Sequence, residues 1–208
     1  MSGPSERIVG VALISGAEGQ YQEHERSGGE FVRKVVLYEL LSLDGVAERP
    51  DEFVLDFDPV MQENLGRVVS SQDAVLLGRR TFDDWAEYWP TGDNELFASF
   101  INGVRKYVVT SSAPPVWTNA SVVEGALNEF VEGLRKMPGG DIGVHGSIAV
   151  AQHLLRASLI DQLRLVISPA LASSGRKLFD SPAPHRLELT RSVTSPTGYL
   201  LVDFDIRH

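Results

Sequence analysis

The sequence predicts an α/β domain whose central sheet is mostly parallel and ends in an antiparallel hairpin. From Lys34 onward, segments with strand and helix patterns alternate, which is typical of βα units. The run 74–77 is wholly apolar, as expected for a strand that is buried on both faces of a parallel sheet. The last two predicted strands, 187–194 and 199–206, are joined by a Ser-Pro-Thr-Gly turn, which favours a β-hairpin.

The first half of the predicted domain begins with a strand over 35–41 that ends at a Ser-Leu-Asp-Gly turn. Asp58 is a favoured N-cap residue and Pro59 stands at the first helical position, so a helix is predicted from Pro59 to about Ser70. The remaining elements of this half are, in order, strand 74–77, helix 80–88, helix 95–102 and strand 106–110, which is followed by a turn over 111–115.

The second half continues the alternation of helices and strands. Helix 127–137 is amphipathic and is ended by a Pro-Gly-Gly sequence. A strand over 142–144 leads into a helix over 147–157, for which Ser147 is the predicted N-cap. Strand 162–168 then precedes the C-terminal hairpin.

Composition divides the chain into a tail and one domain. Residues 1–32 are rich in Gly, Glu, Ser and Gln, and we predict that they form a flexible N-terminal tail. The rest, 33–208, is predicted to be a single domain. A chain of 208 residues with 43% hydrophobic content is large enough to bury one substantial core.

Charge and cysteine content exclude several classes of function. The formal net charge of -9 disfavours binding to nucleic acid, which needs a basic surface. The sequence has no cysteine, which excludes disulfides, thiolate catalysis and cysteine-based metal sites and fits a cytoplasmic protein. No apolar run approaches the roughly 18 residues of a membrane span, so no membrane partner is expected. His145 and His153 are too far apart to share a metal on one helix face, and no metal site is predicted.

The segment from Gly143 to Ser147 has the pattern of a phosphate cradle. A short strand ends at Gly146, and Ser147 opens a helix whose first N–H groups form a natural anion site. A glycine at this point lets the backbone approach a ligand closely. The glycine spacing matches neither the GxGxxG fingerprint nor a Walker loop, so the pattern predicts a cradle of another kind.

Two further turns have the shapes needed to hold the rest of a dinucleotide. At 78–81 a buried strand delivers a glycine and two arginines to the start of a helix, and arginine suits phosphate. The alternative is an ordinary turn with solvated arginines. At 110–112 a strand ends in three hydroxyl side chains, which suit a ribose or a 2′-phosphate. The alternative is a turn that satisfies its own backbone.

Carboxylates and aromatic residues supply the other candidates for chemistry. Glu39 interrupts an apolar strand, so it is either a partnered site residue or a solvent-facing one. Asp56 and Asp58 flank the start of the first helix, and capping explains Asp58. The aromatic segment 85–89 is suited to wall a flat heterocycle, or else belongs to the core or to a dimer interface.

Taken together, these segments resemble the dihydrofolate reductase fold. They are more closely similar to the reductase (RibD C-terminal) domain of the bacterial riboflavin-biosynthesis deaminase-reductase and to its stand-alone relatives. Order and spacing match from about Val35 to the C-terminus. The residues that carry the resemblance are Glu39 with 42–46, then 76–82 with 88–90, 110–112, 143–147 and 159–163.

The resemblance implies a three-layer α/β/α fold that binds NADPH across the carboxyl ends of the sheet. The implied cofactor contacts come from four turns, of which the one after the first strand is expected to be a mobile loop that closes over the nicotinamide. They are Val46 and Ala47, then Gly78, Arg79, Arg80 and Thr81, then Thr110, Ser111 and Ser112, and finally His145, Gly146, Ser147, Ile148 and Ala149.

The resemblance also implies hydride transfer from NADPH to a polarised C=N or C=O carbon. The expected substrate is pteridine-like or ribosylaminopyrimidine-like, and a homodimer is expected. Glu39, Asp44 and Asp56 are the catalytic candidates, and Trp85 and Ser168 the substrate-binding ones. The alternative function is a nucleotide-binding sensor or structural module without turnover.

Overall fold

The computed structural model describes residues 32–91, 95–114, 116–180 and 184–207. The predicted N-terminal tail spans 1–32, and its first 31 residues lie outside the described part of the chain. The elements follow in the order β1 (Val35–Leu41), α1 (Pro59–Val69), β2 (Gln72–Gly78), α2 (Arg79–Tyr88), α3 (Glu95–Gly103), β3 (Arg105–Val109), β4 (Ala120–Val122), α4 (Leu127–Arg135), β5 (Asp141–His145), α5 (Ile148–Arg156), β6 (Gln162–Ile167), β7 (Arg186–Thr194) and β8 (Leu200–Arg207).

Within the described residues the strands form one eight-stranded sheet in the order β4-β3-β2-β5-β1-β6-β8-β7. The first six of these strands pair in parallel, whereas β8 runs antiparallel to β6 and β7 antiparallel to β8. The predicted fold class is therefore confirmed. Because six parallel strands share one direction, their carboxyl ends all reach the same edge of the sheet, where ligands of open α/β sheets bind.

Helices cover both faces of the sheet and enclose two cores. Alternate side chains of one strand point to opposite faces, so Leu76 of β2 belongs to one core and Leu77 to the other. α4 and α5 supply the helical side of the first core, with Val131 and Leu154 among its fully buried residues. α1, α2 and α3 supply that of the second. This is the expected three-layer arrangement.

The helix α3 is anchored by a buried lysine on the next strand. Lys106 is fully buried, and its Nζ donates to the carbonyl oxygens of Ile101 at 2.7 Å and Val104 at 3.0 Å. These carbonyls belong to the negative end of the helix, so a cation is favoured there. Nζ also lies 4.5 Å from the ring centre of Trp117, and burial lowers the pKa of Lys106 to about 8. The lysine thereby fixes the helix that carries part of the cavity wall described below.

Two local features differ from the sequence prediction. The strand β4 is only three residues long, and so short a stretch, with mostly exposed side chains, gives no periodic signal. Ser147 stands at the N-cap of α5, but its side chain makes no capping hydrogen bond. Its Oγ instead accepts from the N–H of Gly78, 69 residues away, at 2.9 Å. Long-range pairing has replaced the local cap.

The predicted cap of α1 is confirmed and has a second partner. Asp58 accepts from the N–H of Met61 at 2.9 Å, and its other oxygen accepts from Oγ1 of Thr197 at 2.7 Å. Burial acts to raise the pKa of the Asp58 carboxyl, but the hydrogen bonds hold it well below its ordinary value. Asp58 therefore ties the start of α1 to the turn between β7 and β8.

We expect Asp58→Ala to lower the free energy of unfolding and the urea midpoint, because it removes a helix cap. Asp58→Asn is the matched control, since its amide oxygen can still accept from the N–H of Met61 while its NH₂ group cannot accept from Thr197. Urea denaturation of the three proteins measures the effect. Equal midpoints for the alanine variant and the wild type would contradict the assignment.

Candidate functional site

The turns after β2 and β5 are joined side by side at the carboxyl edge of the sheet. Besides the bond from Gly78 to Ser147, Oγ1 of Thr81 donates to the carbonyl oxygen of Gly146 at 3.0 Å. The starts of α2 and α5 are therefore neighbours. The first N–H groups of a helix have no partner within it and carry partial positive charge, so this edge is suited to hold an anion.

A glycine and a tryptophan shape the β5–α5 turn. Gly146 has a φ of +58°, a conformation that L side chains rarely adopt, and a Cβ there would lie 3.2 Å from the ring of Trp85. The side chain of His145 is 1% exposed and points into the second core. The predicted contact of His145 with a pyrophosphate would therefore be made by its backbone. Ile148 is buried as well, so it too offers its backbone at the helix start.

Arg79 connects the start of α2 to the hydroxyl cluster after β3. Its Nε lies 2.8 and 2.7 Å from the two carboxylate oxygens of Asp83, and its Nη1 donates to Oγ of Ser112 at 2.6 Å. Oγ1 of Thr110 accepts from the N–H of Ser112 at 3.2 Å, so the turn also satisfies part of its own backbone. Ser111 is exposed. The two segments predicted to share a ligand are thus in contact.

The loop after β1 is hydrogen-bonded to the segment that follows β6. The carboxylate of Asp44 accepts from Oγ of Ser42 at 2.7 Å and from the N–H groups of Ala172 at 3.0 Å and Ser173 at 3.1 Å. These hydrogen bonds lower the pKa of Asp44. In this structure Asp44 positions the loop, and its catalytic role and the closure of the loop over a nicotinamide stay predictions.

The same loop continues into contacts that fix Val46 and Ala47. Both side chains are buried, Val46 forms an antiparallel bridge with Lys177, and the N–H of Ala47 donates to the carbonyl of Arg176 at 3.0 Å. Hydrogen bonds from Arg176 lower the pKa of Glu48, next in the chain. This pattern leaves the backbone of the loop, rather than its side chains, to meet a ligand.

An ion-pair network missed by the sequence analysis connects this loop to α2. Oε1 of Glu48 lies 3.0 Å from Nε of Arg176 and 3.3 Å from Nη1 of Arg80. The Arg80 side chain is 69% exposed, so its charge remains available at the edge. The partners are far apart in sequence, and no local pattern indicates that Glu48 joins them.

A cavity of about 230 Å³ lies next to the cradle, between β1 and β5 on one side and the helices of the second core on the other. Gly146 belongs to both the cavity and the cradle. Trp85 lines the cavity, as predicted for a residue that contacts substrate. The other lining residues that matter below are Tyr38, Glu39, Trp89, Phe97 and His145.

Three aromatic rings form one wall of the cavity by packing edge to face. The ring centres of Trp85 and Phe97 are 5.4 Å apart, and those of Trp89 and Phe97 are 4.8 Å apart. The planes are inclined by 86° and 66°. Such edge-to-face contacts hold large rings rigidly and make this side of the cavity apolar.

Four residues of the cavity wall carry a buried polar atom that has no hydrogen-bond partner in the described part of the chain. Buried polar groups are normally paired, so each of these atoms costs folding free energy. The four atoms are Oη of Tyr38, Oε2 of Glu39, Nε1 of Trp89 and Nδ1 of His145.

The titratable groups of this wall are uncharged near neutral pH. Burial raises the pKa of Glu39 to about 8, with only the N–H of Leu40 acting against it. Burial lowers the pKa of His145 to about 3. The pKa of Tyr38 is raised by burial and by Glu39. The three titratable residues that line the cavity are therefore a carboxylic acid, a neutral imidazole and a phenol, which suits a neutral ligand.

Two predicted site residues lie elsewhere. Asp56 is exposed in the segment before α1 and does not line the cavity. Ser168 is buried, but its Oγ donates to the carbonyl of Phe53 at 2.7 Å and it does not line the cavity either. The hydroxyl fastens the end of β6 to the segment before α1, so its role here is structural.

A second, larger cavity of about 990 Å³ lies at the opposite edge of the sheet, near the starts of β2, β3 and β4. Its charged residues include Arg33, which pairs with Asp73, and Arg105. No helix start faces it among the elements that line it, because it is formed by strand starts and helix ends. The adjoining cradle places the candidate active site at the smaller cavity.

Two classes of site find no counterpart in the described residues. No group of three or more His, Cys, Asp or Glu side chains there is arranged to hold a metal ion. In the same part of the chain, no helix combines the length and apolar character needed to cross a membrane.

We expect the stability of the protein to depend on pH through Glu39. The buried acid stays protonated in the folded state, so its contribution is fully present below the ordinary pKa of 4.5 and is lost as pH rises through about 8. The variant Glu39→Gln cannot ionise at this position. Relative to it, the free energy of unfolding of the wild type falls by up to about 1.4 kcal/mol per pH unit within that window. Urea denaturation across this pH range measures the difference, and a constant difference would disprove the assignment.

Comparison with known proteins identifies sequence relatives over most of the domain. The family model described as the RibD C-terminal domain matches residues 33–201. The uncharacterized Bacillus subtilis protein YyaP is 28% identical over 180 residues, which cover 82% of this chain and 93% of YyaP. YwjB, a second uncharacterized protein of the same organism, is 24% identical over 153 residues, or 71% of this chain and 83% of YwjB.

Solved structures share the fold at low sequence identity. A Shewanella protein whose name associates it with riboflavin biosynthesis superimposes with a TM-score of 0.70 at 17% identity, over 85% of this chain and all of that one. A pyrimidine reductase-like protein from Corynebacterium diphtheriae gives a TM-score of 0.59 at 14% identity, over 85% and 92%. A deaminase/reductase from Thermotoga maritima gives 0.59 at 13%, and this chain spans 57% of it.

Proposed function

The chain belongs to the RibD C-terminal domain family, and from that premise we propose that it is an NADPH-dependent reductase of a pteridine-like or ribosylaminopyrimidine-like compound. The observation that carries the proposal is the aromatic cavity that lies directly beside the adjoining starts of α2 and α5. The helix starts suit the phosphates of a dinucleotide. The cavity suits a neutral heterocycle.

The cofactor half has the chemistry that NADPH requires. The adjoining starts of α2 and α5 favour a pyrophosphate, and the left-handed backbone of Gly146 keeps that approach free of a side chain. Arg79, with Ser112 at 2.6 Å, is placed to hold a 2′-phosphate. The Asp83 carboxylate beside Arg79 orients the guanidinium. When bound, NADPH supplies the hydride.

The substrate half favours a small planar ring. A volume of about 230 Å³ is low for a ligand pocket, which excludes bulky compounds. The apolar wall of Trp85 and Phe97 suits an aromatic ring, and the neutral wall residues avoid the cost of burying an unpaired charge. The walls thereby hold the ring in one plane and keep water away from the reacting carbon.

Glu39 is the residue suited to supply the proton. Reduction of a C=N or C=O bond needs a proton at the heteroatom as well as a hydride at carbon. The raised pKa of Glu39 keeps its carboxyl protonated at neutral pH, and Glu39 belongs to the stretch of β1 that lines the cavity. This is the pattern of a carboxylic acid tuned by burial to act as a general acid.

We expect the protein to bind NADPH more tightly than NADH, and we expect Arg79→Ala to reduce that preference about tenfold or more, about 1.4 kcal/mol. The reason is the loss of a charged fork beside the hydroxyl cluster. Ser112→Ala should have a smaller effect in the same direction. Ser192→Ala is the matched control, since Ser192 is exposed on β7 at the far edge of the sheet. Isothermal titration with both cofactors measures these changes, and equal affinities in the wild type would contradict the 2′-phosphate site.

Oxidation of NADPH in the presence of aminopyrimidine and pterin compounds tests the activity itself. We expect Glu39→Gln to lower kcat about a hundredfold or more, as is usual for loss of a general acid, with NADPH affinity retained. The wild-type rate should fall as pH rises through about 8, where Glu39 loses its proton. Tight NADPH binding without oxidation by any of these compounds would favour a nucleotide sensor instead.

A further inference from the structure

Three arginines, one each from α1, β6 and β7, converge around one buried carboxylate and one buried amide. Oδ2 of Asp203 forms ion pairs with Nη2 of Arg67 at 2.8 Å and with Nη1 of Arg164 at 2.6 Å. Nη1 of Arg191 donates to Oδ1 of Asn64 at 2.9 Å, and Nη2 of Arg67 donates to the same oxygen at 2.9 Å. We call these five residues the arginine cluster.

The shared acceptors hold the three guanidinium groups close together. Nη2 of Arg67 and Nη1 of Arg191 are each 2.9 Å from one amide oxygen, so they can be no farther apart than twice that distance. Arg67 and Arg164 are drawn together in the same way by one oxygen of Asp203. Asn64 and Asp203 are only 3% and 2% exposed, so the packing around them fixes both anchors. Guanidinium groups at this spacing can bond different oxygens of one oxyanion.

The arginine cluster has more positive than negative charge. Its one carboxylate, Asp203, already pairs with Arg67 and Arg164, and in the described part of the chain Arg191 bonds only an uncharged amide. Burial lowers the pKa of Arg67, and the charges of Arg191 and Arg164 act in the same direction, whereas Asp203 acts against them. Two positive charges are therefore left without compensation, and the guanidinium groups repel one another.

Other carboxylates of the same elements do not neutralise this surplus. Oδ1 of Asp205 accepts from a glutamine amide of β6 at 2.8 Å, and Glu188 pairs with Arg207. Glu63 is exposed, and it forms no ion pair with Arg67 although it stands four residues earlier on α1. The surplus occurs in a chain whose formal net charge is -9, so it does not follow from a basic composition.

The unused donors of the arginine cluster are open to a ligand. Each guanidinium has five N–H groups, and the contacts leave Nε and one terminal nitrogen of both Arg67 and Arg191 without a partner in the described chain. The Arg67 side chain is 38% exposed, and Arg191 is half-buried. No nitrogen of Arg191 or Arg164 is among the buried unpaired atoms, so solvent reaches their free N–H groups.

We infer that the arginine cluster binds a phosphate group, as free phosphate or as the phosphomonoester end of a small molecule. A phosphate dianion supplies the two missing negative charges, and its oxygens accept from forked guanidinium groups. None of the five residues lines either cavity, and in the sheet β1 separates β6 and β8 from β5. The cluster is therefore distinct from the candidate active site, and the inference does not depend on the proposed function.

The first test is calorimetric titration of the full-length protein with inorganic phosphate at low ionic strength and mildly alkaline pH. We expect saturable binding to the wild type that Arg191→Leu weakens about tenfold or more, because charge-assisted hydrogen bonds are lost. Arg186→Leu is the matched control, since it removes the same charge from an exposed position of the same strand, outside the cluster. Absence of saturable binding to the wild type, or equal weakening by both substitutions, would overturn the inference.

The helix starts of the candidate active site also attract anions, so Arg79→Ala shows which site is titrated. We expect this variant to keep the phosphate affinity that Arg191→Leu loses. Affinity that is lost in Arg79→Ala and kept in Arg191→Leu would assign the phosphate to the cradle and contradict the inference. Methyl phosphate distinguishes the two sources of the group: binding of both compounds supports a phosphomonoester site, and binding of inorganic phosphate alone supports a site for the free ion.

Thermal unfolding gives a readout that a merely structural role of Arg191 would not produce. In chloride, Arg191→Leu should unfold at the wild-type temperature or above it, because the substitution relieves repulsion. In phosphate at the same ionic strength, the wild type should gain more than this variant, since the ligand binds only the folded state. Arg186→Leu measures the gain that phosphate gives by exclusion from any protein surface. Lower stability of Arg191→Leu in chloride, or equal gains for it and the wild type, would refute the site.

Discussion

The hydrogen bond from the N–H of Gly78 to Oγ of Ser147 is the contact on which the candidate site depends. It joins the two turns that start α2 and α5, and thereby sets the spacing of two helix starts at one edge of the sheet. The parallel pairing of β2 with β5 brings the turns to this edge, and the serine fixes them there. The ring of Trp85 packs against the turn after β5. It lies so close that a Cβ at position 146 would be only 3.2 Å from it, which favours glycine there.

The site separates charged from neutral chemistry. Arginines, Glu48 and the hydroxyls of the β3 turn lie at the exposed edge, where charged groups stay hydrated and cost little. The cavity behind it is lined by Glu39, His145 and Tyr38, and burial shifts their pKa values so that all three are uncharged near neutral pH. The same burial that neutralises Glu39 keeps a proton on it. A dinucleotide and a neutral ring therefore find different environments within one continuous site.

The sequence predicts the fold well because the fold rests on local patterns. The alternating apolar segments and the Asp58 cap depend on residues that are close together in the sequence. The cradle segments at 78–81, 110–112 and 145–149 follow parallel strands, so they lie at the same edge of the sheet. The roles of Ser147, Asp44 and Ser168 were not predictable, because each side chain bonds a residue at least 69 positions away. A hydroxyl or carboxylate that seems free in the sequence is thus engaged by the tertiary structure.

Unpaired polar atoms are a second feature that the sequence could not predict, because a sequence does not show which buried polar groups lack a partner. Tyr38 and Trp89 look like core aromatic residues, and only the assembled structure shows that Oη and Nε1 have no partner in the described chain. Each unpaired buried group costs folding free energy. Gly143 is a further feature that only the structure explains. A glycine inside a buried strand weakens the strand, yet its missing side chain leaves the space in which Gln72 and His145 pair.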